Sequence, residues 1–275
     1  MGRGNKNKRK NSGPSLADQA DRHVLYEAAV QCPESEIDFV DQTFQKLSKR
    51  QAVKLREDFC GTTNSSCEWV RRRDSNQAYC VDLDPDVLAW GKEHHIAKLS
   101  DEQQKRIHVF TADVMDSAAT SMDIVLAMNF SYWIFKDRQT MVRYFRSVYE
   151  SLVDDGVFIL DSFGGYEAFK EMEESTKHKG FTYVWDQSFY NPITGDGRFH
   201  IHFKFKDGSS IEKAFTYEWR VWTLPEITEM LTEAGFKAEV YWEGEDEDGE
   251  GNGEFEATTD GEADAGWIAY IVAQK

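Results

Sequence analysis

VKLREDFCGTTNSSCEWVRRRDSNQAYCVD, residues 53–82, is the stretch on which the fold turns. An apolar run at Val53 and Leu55 leads into the acidic pair Glu57 and Asp58. A tight Phe59-Cys60-Gly61-Thr62 turn follows, then a helix-like stretch and a second apolar run, Ala78 to Val81, closed by Asp82. Strand, small-residue turn, helix, strand and terminal acid is the order of a nucleoside-binding βαβ unit. The turn lets backbone N–H groups approach a ligand, and an acid closing the second strand can accept both ribose hydroxyl protons. A dinucleotide site wants G-x-G-x-x-G to seat a pyrophosphate, whereas this turn holds Gly61 alone, with Phe59 where a first glycine would stand. That disfavours an NAD-dependent oxidoreductase and favours a ligand without phosphates.

The stretch resembles the first motif of the class I S-adenosylmethionine-dependent methyltransferases, acid-x-G-x-G-x-G, often with Cys-Gly-Thr at its centre. Aligned on Cys60-Gly61-Thr62, the motif acid is Glu57, Phe59 replaces the first glycine and Thr63 the third. Val81-Asp82-Leu83-Asp84-Pro85 resembles the family's second strand end, with Asp82 binding the ribose and Pro85 starting the next helix. Ile107 to Val114 resembles the third strand, with Asp113 reading the adenine amino group. The order and spacing of these motifs over residues 50–165 carry the resemblance, and Leu224-Pro225-Glu226-Ile227 followed by Ala234-Gly235-Phe236 looks like the family's closing helix and strand. The cofactor implied is S-adenosyl-L-methionine. The binding set implied is Arg56, Glu57, Asp58, Gly61, Thr62, Asp82, Leu83, Asp113, Val114 and Asn129. Arg56 has a second reading, ranked ahead of the first, as the neutralising partner of Glu57 or Asp58.

The architecture expected is an α/β fold with a doubly wound, mostly parallel seven-stranded sheet and an inserted antiparallel β roof. Residues 1–15 read as a disordered basic tail, 16–49 as a helical cap over the cofactor, and 50–165 as the cofactor-binding core. After a charged helix from Tyr166 to Lys177, residues 166–222 break the alternating pattern with three aromatic-rich strand-like runs. Phe199, Ile201, Phe203 and Phe205 alternate with His200, His202 and Lys204, the period of a half-buried antiparallel strand. Residues 223–275 return to the core and include an acidic loop, 243–264.

Composition bounds the function. The formal net charge is −17, yet residues 1–12 carry five basic residues and no acid, while 243–264 carry eleven acids and no base. Without that segment, 32 basic and 38 acidic residues remain, so the fold itself is mildly acidic. Such a loop reads as a solvated, mobile segment. An EF-hand around Asp246, Asp248 and Glu250 fails because Ala257 stands at the twelfth position. The four cysteines show no C-x-x-C spacing, so no zinc site or disulfide framework is suggested. No apolar run is long enough for a membrane span, and no secretory signal opens the chain, so a cytoplasmic location is expected, with the basic tail as an alternative nuclear address. The acidic balance argues against nucleic acid as acceptor.

Methyl transfer from a sulfonium is an in-line displacement that needs positioning above all, and a base only if the nucleophile arrives protonated. Residues on the expected active-site side are Asn129, Tyr132, Trp133, Asp161, Tyr166, His200, His202 and Arg220. Tyr132, His200 and Arg220 are the catalytic candidates. Asn129-Phe130-Ser131-Tyr132 stands where methyltransferases acting on bases or glutamine carry Asn-Pro-Pro-Tyr, but both prolines are missing. The expected reaction is methyl transfer to a small-molecule acceptor, with an amine as first choice because aromatic residues can cage a cation. The alternatives are a protein or RNA methyltransferase, and a silent cofactor-binding regulatory member of the fold.

Overall fold

The computed structural model describes residues 13–245 and 251–275. Most of the expected basic tail and the 246–250 part of the acidic loop lie outside the described residues. Helices α1 (Leu16–Gln19), α2 (Arg22–Val30) and α3 (Pro33–Ser48) precede β1 (Lys54–Asp58), α4 (Asn64–Arg72), β2 (Gln77–Asp82), α5 (Pro85–His94), α6 (Asp101–Gln104) and β3 (Ile107–Thr111). Then come β4 (Met122–Ala127), α7 (Arg138–Ser151) and β5 (Leu152–Gly164). Four strands, β6 (Met172–Lys177), β7 (Phe181–Tyr190), β8 (Asp196–Phe205) and β9 (Ser210–Arg220), form a separate antiparallel sheet. Helix α8 (Leu224–Ala234) and strands β10 (Lys237–Glu245), β11 (Gly251–Thr258) and β12 (Trp267–Gln274) complete the chain.

The main sheet runs in the order β11-β10-β12-β5-β4-β1-β2-β3. Strands β1 to β5 pair in parallel, and β12, β10 and β11 add antiparallel pairs at one side. Period-two alternation sends Leu55, Cys80, Ile124, Leu126 and Ile159 toward α3, α4 and α5. It sends Val81, Val125, Phe158 and Leu160 toward α7 and α8 on the opposite face. Local signals start and stop the helices where the sequence put them. Asp84 caps α5 through the Asp86 N–H at 2.9 Å, with Pro85 in its first turn. Thr223 and Glu226 form a capping box on α8, which Gly235 ends at φ 115°.

The fold class is the expected one, with two differences. The sheet has eight strands, because part of the acidic run that read as a solvated loop is strand β11. Its anchor is Phe255, the one large apolar residue in the run, 4.5 Å from Tyr270 and 6.0 Å from Phe39 between ring centroids. The charged helix expected from Tyr166 to Lys177 is absent: turns lead into β6, and the roof has four strands. The Gln187 side chain donates to the carbonyls of Glu167 and Lys170 at 2.9 and 3.1 Å, which occupies oxygens a helix would need. Helix propensity yields there to tertiary contacts.

Candidate active site

Strand order reverses between β1 and β4, and in open α/β sheets that switch point is where a crevice opens at the carboxyl ends of the strands. The β1–α4 turn sits there. Phe59, Gly61 and Thr63 all have left-handed φ values, 56°, 50° and 63°. Two side-chain-bearing residues thus keep the conformation that favours glycine, each at a cost of about 1–2 kcal/mol. Phe59 recovers part of that by packing its ring 6.0 Å from Phe135 and 5.9 Å from Tyr144. A Cβ added at Gly61 would meet nothing within 4 Å, so the turn presents bare backbone to open space. Gly91 of α5 lies hard against the turn: a Cβ there would fall 2.3 Å from the Thr62 carbonyl oxygen.

Acids line the rim beside this turn. The Asp82 carboxylate accepts the N–H of Gly61 and the N–H of Asp84, both at 2.9 Å, which fixes its orientation at the end of β2. Leu83 follows it with 63% of its surface exposed. Asp113 accepts the Met115 N–H at 2.9 Å, next to buried Val114. Glu57 faces α4 and accepts the Ser66 N–H at 3.0 Å and the Ser66 hydroxyl. Burial pushes its pKa up to about 8. The Thr62 hydroxyl donates to Glu27 of α2 at 2.6 Å, and His95 Nε2 lies 2.7 Å from the same carboxylate oxygen.

Helices α1 and α2 form a strap between this rim and the roof. On the core side, Trp90 Nε1 donates to Asp21 at 2.7 Å and Asn64 to Gln31 at 3.1 Å. On the roof side, the Leu16 N–H donates to Asp207 at 2.9 Å and the Ala17 N–H to Ser209 at 3.1 Å.

Five of the residues singled out in the sequence stand elsewhere. Arg56 and Asp58 share the opposite strand face from Glu57, away from the crevice, because residues two apart on β1 point the same way, and Arg56 takes the reading ranked first for it, the neutralising partner of Asp58. Arg56 is 1% exposed; its Nη2 donates to Asp58 at 3.0 Å, its Nη1 donates to the Ala119 carbonyl at 3.1 Å, and Tyr144 donates to Asp58 at 2.9 Å. The pair belongs to the α7 side of the core. Tyr132 is fully buried and donates to the Asp161 carbonyl at 2.8 Å, so its hydroxyl supports β5 from behind. His200 sits on the roof face turned away from the core, bonded to Thr216 at 2.9 Å, since the residues flanking it, Phe199 and Ile201, point inward. Arg220 stacks its guanidinium 3.7 Å from the Trp222 ring centroid and donates to Glu226 at 3.0 Å, again on the outer face.

Inside the roof lies a cavity of about 700 Å³. Its upper wall is aromatic: Tyr183 and Trp185 of β7, and Tyr217 and Trp219 of β9, whose rings stack at 4.4 Å. Tyr26 of the strap closes one side, next to Phe215 at 5.0 Å. The floor holds Asn129, Phe130 and Asp161 at the ends of β4 and β5. Asn129 and Phe130 are consecutive left-handed residues, φ 57° and 58°, and both their N–H groups donate to the Asp161 carboxylate, at 2.8 and 2.9 Å. Asp161 is 7% exposed and burial raises its pKa to about 7. Glu36 of α3 and Glu243 of β10 also reach the wall, and burial raises the Glu36 pKa. Among the described residues no lysine, arginine or histidine lines this cavity. Asp161 stood among the residues expected on the active-site side; Glu36, inside the span read as a helical cap, and Glu243, which reads as loop, did not.

Residues 58–160 match the family model of the methyltransferase domain. None of the curated proteins matches the chain in sequence. Among solved structures, it is similar to an S-adenosylmethionine-dependent methyltransferase from Clostridium acetobutylicum, with 16% identity and a TM-score of 0.69, covering 91% of this chain and 96% of that one. It is similar to CalS10, an amino pentose methyltransferase from Micromonospora echinaspora solved with S-adenosylmethionine bound, with 14% identity and a TM-score of 0.65, covering 92% and 96%. The sugar N-methyltransferase KedS8 from a Streptoalloteichus species shares 17% identity and a TM-score of 0.63, covering 100% and 99%. At such identities the likeness establishes the fold.

Proposed function

We propose that the chain, whose residues 58–160 match the methyltransferase-domain family and whose fold is that of S-adenosylmethionine-dependent methyltransferases, methylates a small-molecule amine on nitrogen, in the cavity under the roof sheet. One observation carries this: a cavity wall of aromatic faces and carboxylates, with no cationic side chain among its described residues. Aromatic faces and carboxylates attract an ammonium and repel an anion. Two of the similar structures are named as acting on an amino pentose and as a sugar N-methyltransferase, which is compatible with the reading.

The cofactor fits the rim. Gly61 leaves room for close backbone approach, Asp82 is oriented to receive ribose hydroxyls, exposed Leu83 offers an apolar face to the adenine, and Asp113 keeps acceptor capacity for its amino group. Bound S-adenosylmethionine supplies an electrophilic S-methyl group, whose C–S bonding pair stays with sulfur as the acceptor nitrogen's lone pair forms the new C–N bond. The chain must free that lone pair first. Asp161, its proton affinity raised by burial and by the neighbouring Glu36 charge, takes the ammonium proton, and the aromatic wall orients the amine along the line of attack.

Asp82→Ala is expected to weaken S-adenosylhomocysteine binding by about 1–3 kcal/mol, the cost of unpaired ribose hydroxyls and a freed Gly61 N–H. Calorimetric titration checks it, and unchanged affinity would place the ribose elsewhere. Glu27→Ala removes the acceptor shared by Thr62 and His95, and is expected to speed S-adenosylhomocysteine release about tenfold, equivalent to roughly 1.4 kcal/mol. Stopped-flow displacement reads that rate; an unaltered one means the strap does not gate the cofactor.

The test of the function itself is S-adenosylhomocysteine release with paired acceptors, each amine matched by its alcohol. Turnover of amines alone supports nitrogen methylation. Turnover of the alcohols alone refutes it.

A further inference from the structure

We propose that the acceptor carries two or more amino groups on an aliphatic chain: a di- or polyamine. This rests on the amine reading above and narrows it. A single ammonium needs one or two counter-charges, but this cavity has carboxylates at two separate places. Asp161, Glu36 and Glu243 come from β5, α3 and β10 on the core side, around the hydroxyl end of Tyr270. Glu174 comes from the far edge of the roof, on β6, where it pairs in register with Trp185.

None of these four carboxylates has a lysine, arginine or histidine partner within 4 Å among the described residues, although ion pairs are frequent elsewhere on the molecule. Glu167, also in the wall, is the exception, held by Lys170 at 3.1 Å. Nor are the described acids grouped closely enough to hold a metal ion. Burial and the nearby Glu36 charge both raise the Asp161 pKa, a cost that a cationic ligand removes, while Glu174 stands exposed at the roof edge where an ammonium can reach it from solvent. The same cavity carries the aromatic wall of Trp185, Tyr217 and Trp219. Such a surface suits the methylene stem of a polyamine and can hold its ammonium ends by cation–π attraction. The reacting amine then sits at Asp161, and a second ammonium reaches Glu174 across the stem.

Butylamine, 1,4-diaminobutane and spermidine test this as acceptors, with kcat and KM read from S-adenosylhomocysteine release by the full chain. The expected kcat/KM for 1,4-diaminobutane or spermidine is at least tenfold above that for butylamine, mostly through KM. Glu174→Gln is expected to lower the diamine value about fivefold or more and to leave butylamine within twofold. Tryptophan fluorescence titration of the same three amines, with S-adenosylhomocysteine bound, reads the preference without turnover. Equal use and equal binding of all three would overturn the diamine inference while leaving the amine reading in place. If none binds or reacts, both fail. If Glu174→Gln lowers butylamine as much as the diamine, the second ammonium site is not at Glu174 and the inference falls.

Discussion

Arg56→Ala is expected to lower the free energy of unfolding by about 3–5 kcal/mol, the cost of removing one partner of a buried ion pair. Arg56 and Asp58 lie almost wholly inside the α7 face of the core. The guanidinium and the Tyr144 hydroxyl are the donors that satisfy the carboxylate there. Burial already holds the Asp58 pKa above its ordinary value, with Arg56 and Tyr144 pulling it down. Without Arg56 that pKa rises further. A carboxyl whose folded pKa exceeds its unfolded one costs stability progressively as pH climbs from the unfolded value to the folded one. The variant should therefore be most impaired at and above neutral pH and recover part of the loss toward pH 5. Urea unfolding at pH 5 and pH 8 measures both effects, with the midpoint shifting at constant slope. Replacing all three, as Arg56→Met, Asp58→Leu and Tyr144→Phe, should restore most of the stability, because a well-packed apolar set commonly matches a buried ion pair. A loss under 1 kcal/mol for Arg56→Ala would show that the interior there is wetter than the structure indicates.

Asp161→Ala is expected to reduce kcat/KM by about 100-fold, the scale of misplacing a reacting group by roughly 1 Å. Its carboxylate alone accepts the N–H groups of Asn129 and Phe130, and each of those residues holds a left-handed φ that relaxes once its anchor is gone. The pH profile separates this role from bulk packing. Burial places the Asp161 pKa at about 7, so the carboxylate form that anchors both N–H groups is lost as pH falls through that value. The intact enzyme should show kcat/KM declining below about pH 7 in a limb that Asp161→Asn abolishes. Circular dichroism and S-adenosylhomocysteine binding report whether the variant keeps its fold. A decline of less than threefold for Asp161→Ala would remove the Asn129–Phe130 turn from the reaction.

The core of the fold was legible because its signals are local. Gly61, the acids at the ends of β1 and β2, and the Pro85 and Thr223 helix starts each sit within a few residues of the structure they specify. The same period-two rule explains the misplaced candidates. Arg56 with Asp58, and His200 with His202, share the phase that points away from the crevice, while Glu57 and Ile201 take the other. The cavity wall was not legible, because it is assembled from α2, α3, β5, β6, β7, β9 and β10 and no short motif spans them. Glu174 was hidden twice over, since a charged run read as helix gave no reason to place one of its acids in a wall.

Strand β11 ends the sheet, and the terminal strand of any open sheet exposes a row of unpaired N–H and C=O groups that another chain can dock onto. Here that rim is written in Gly251-Asn252-Gly253-Glu254-Phe255-Glu256-Ala257-Thr258, and two identical rims approaching each other bring glutamates face to face. The acid run thus acts as a guard against stacking of one molecule on the next. Its protection is electrostatic, so it weakens with ionic strength as the screening length shrinks from about 10 Å at 0.1 M to about 3 Å at 1 M. High salt or acid is the condition under which this edge becomes sticky, and a Glu254→Val, Glu256→Val pair would make it so in ordinary buffer.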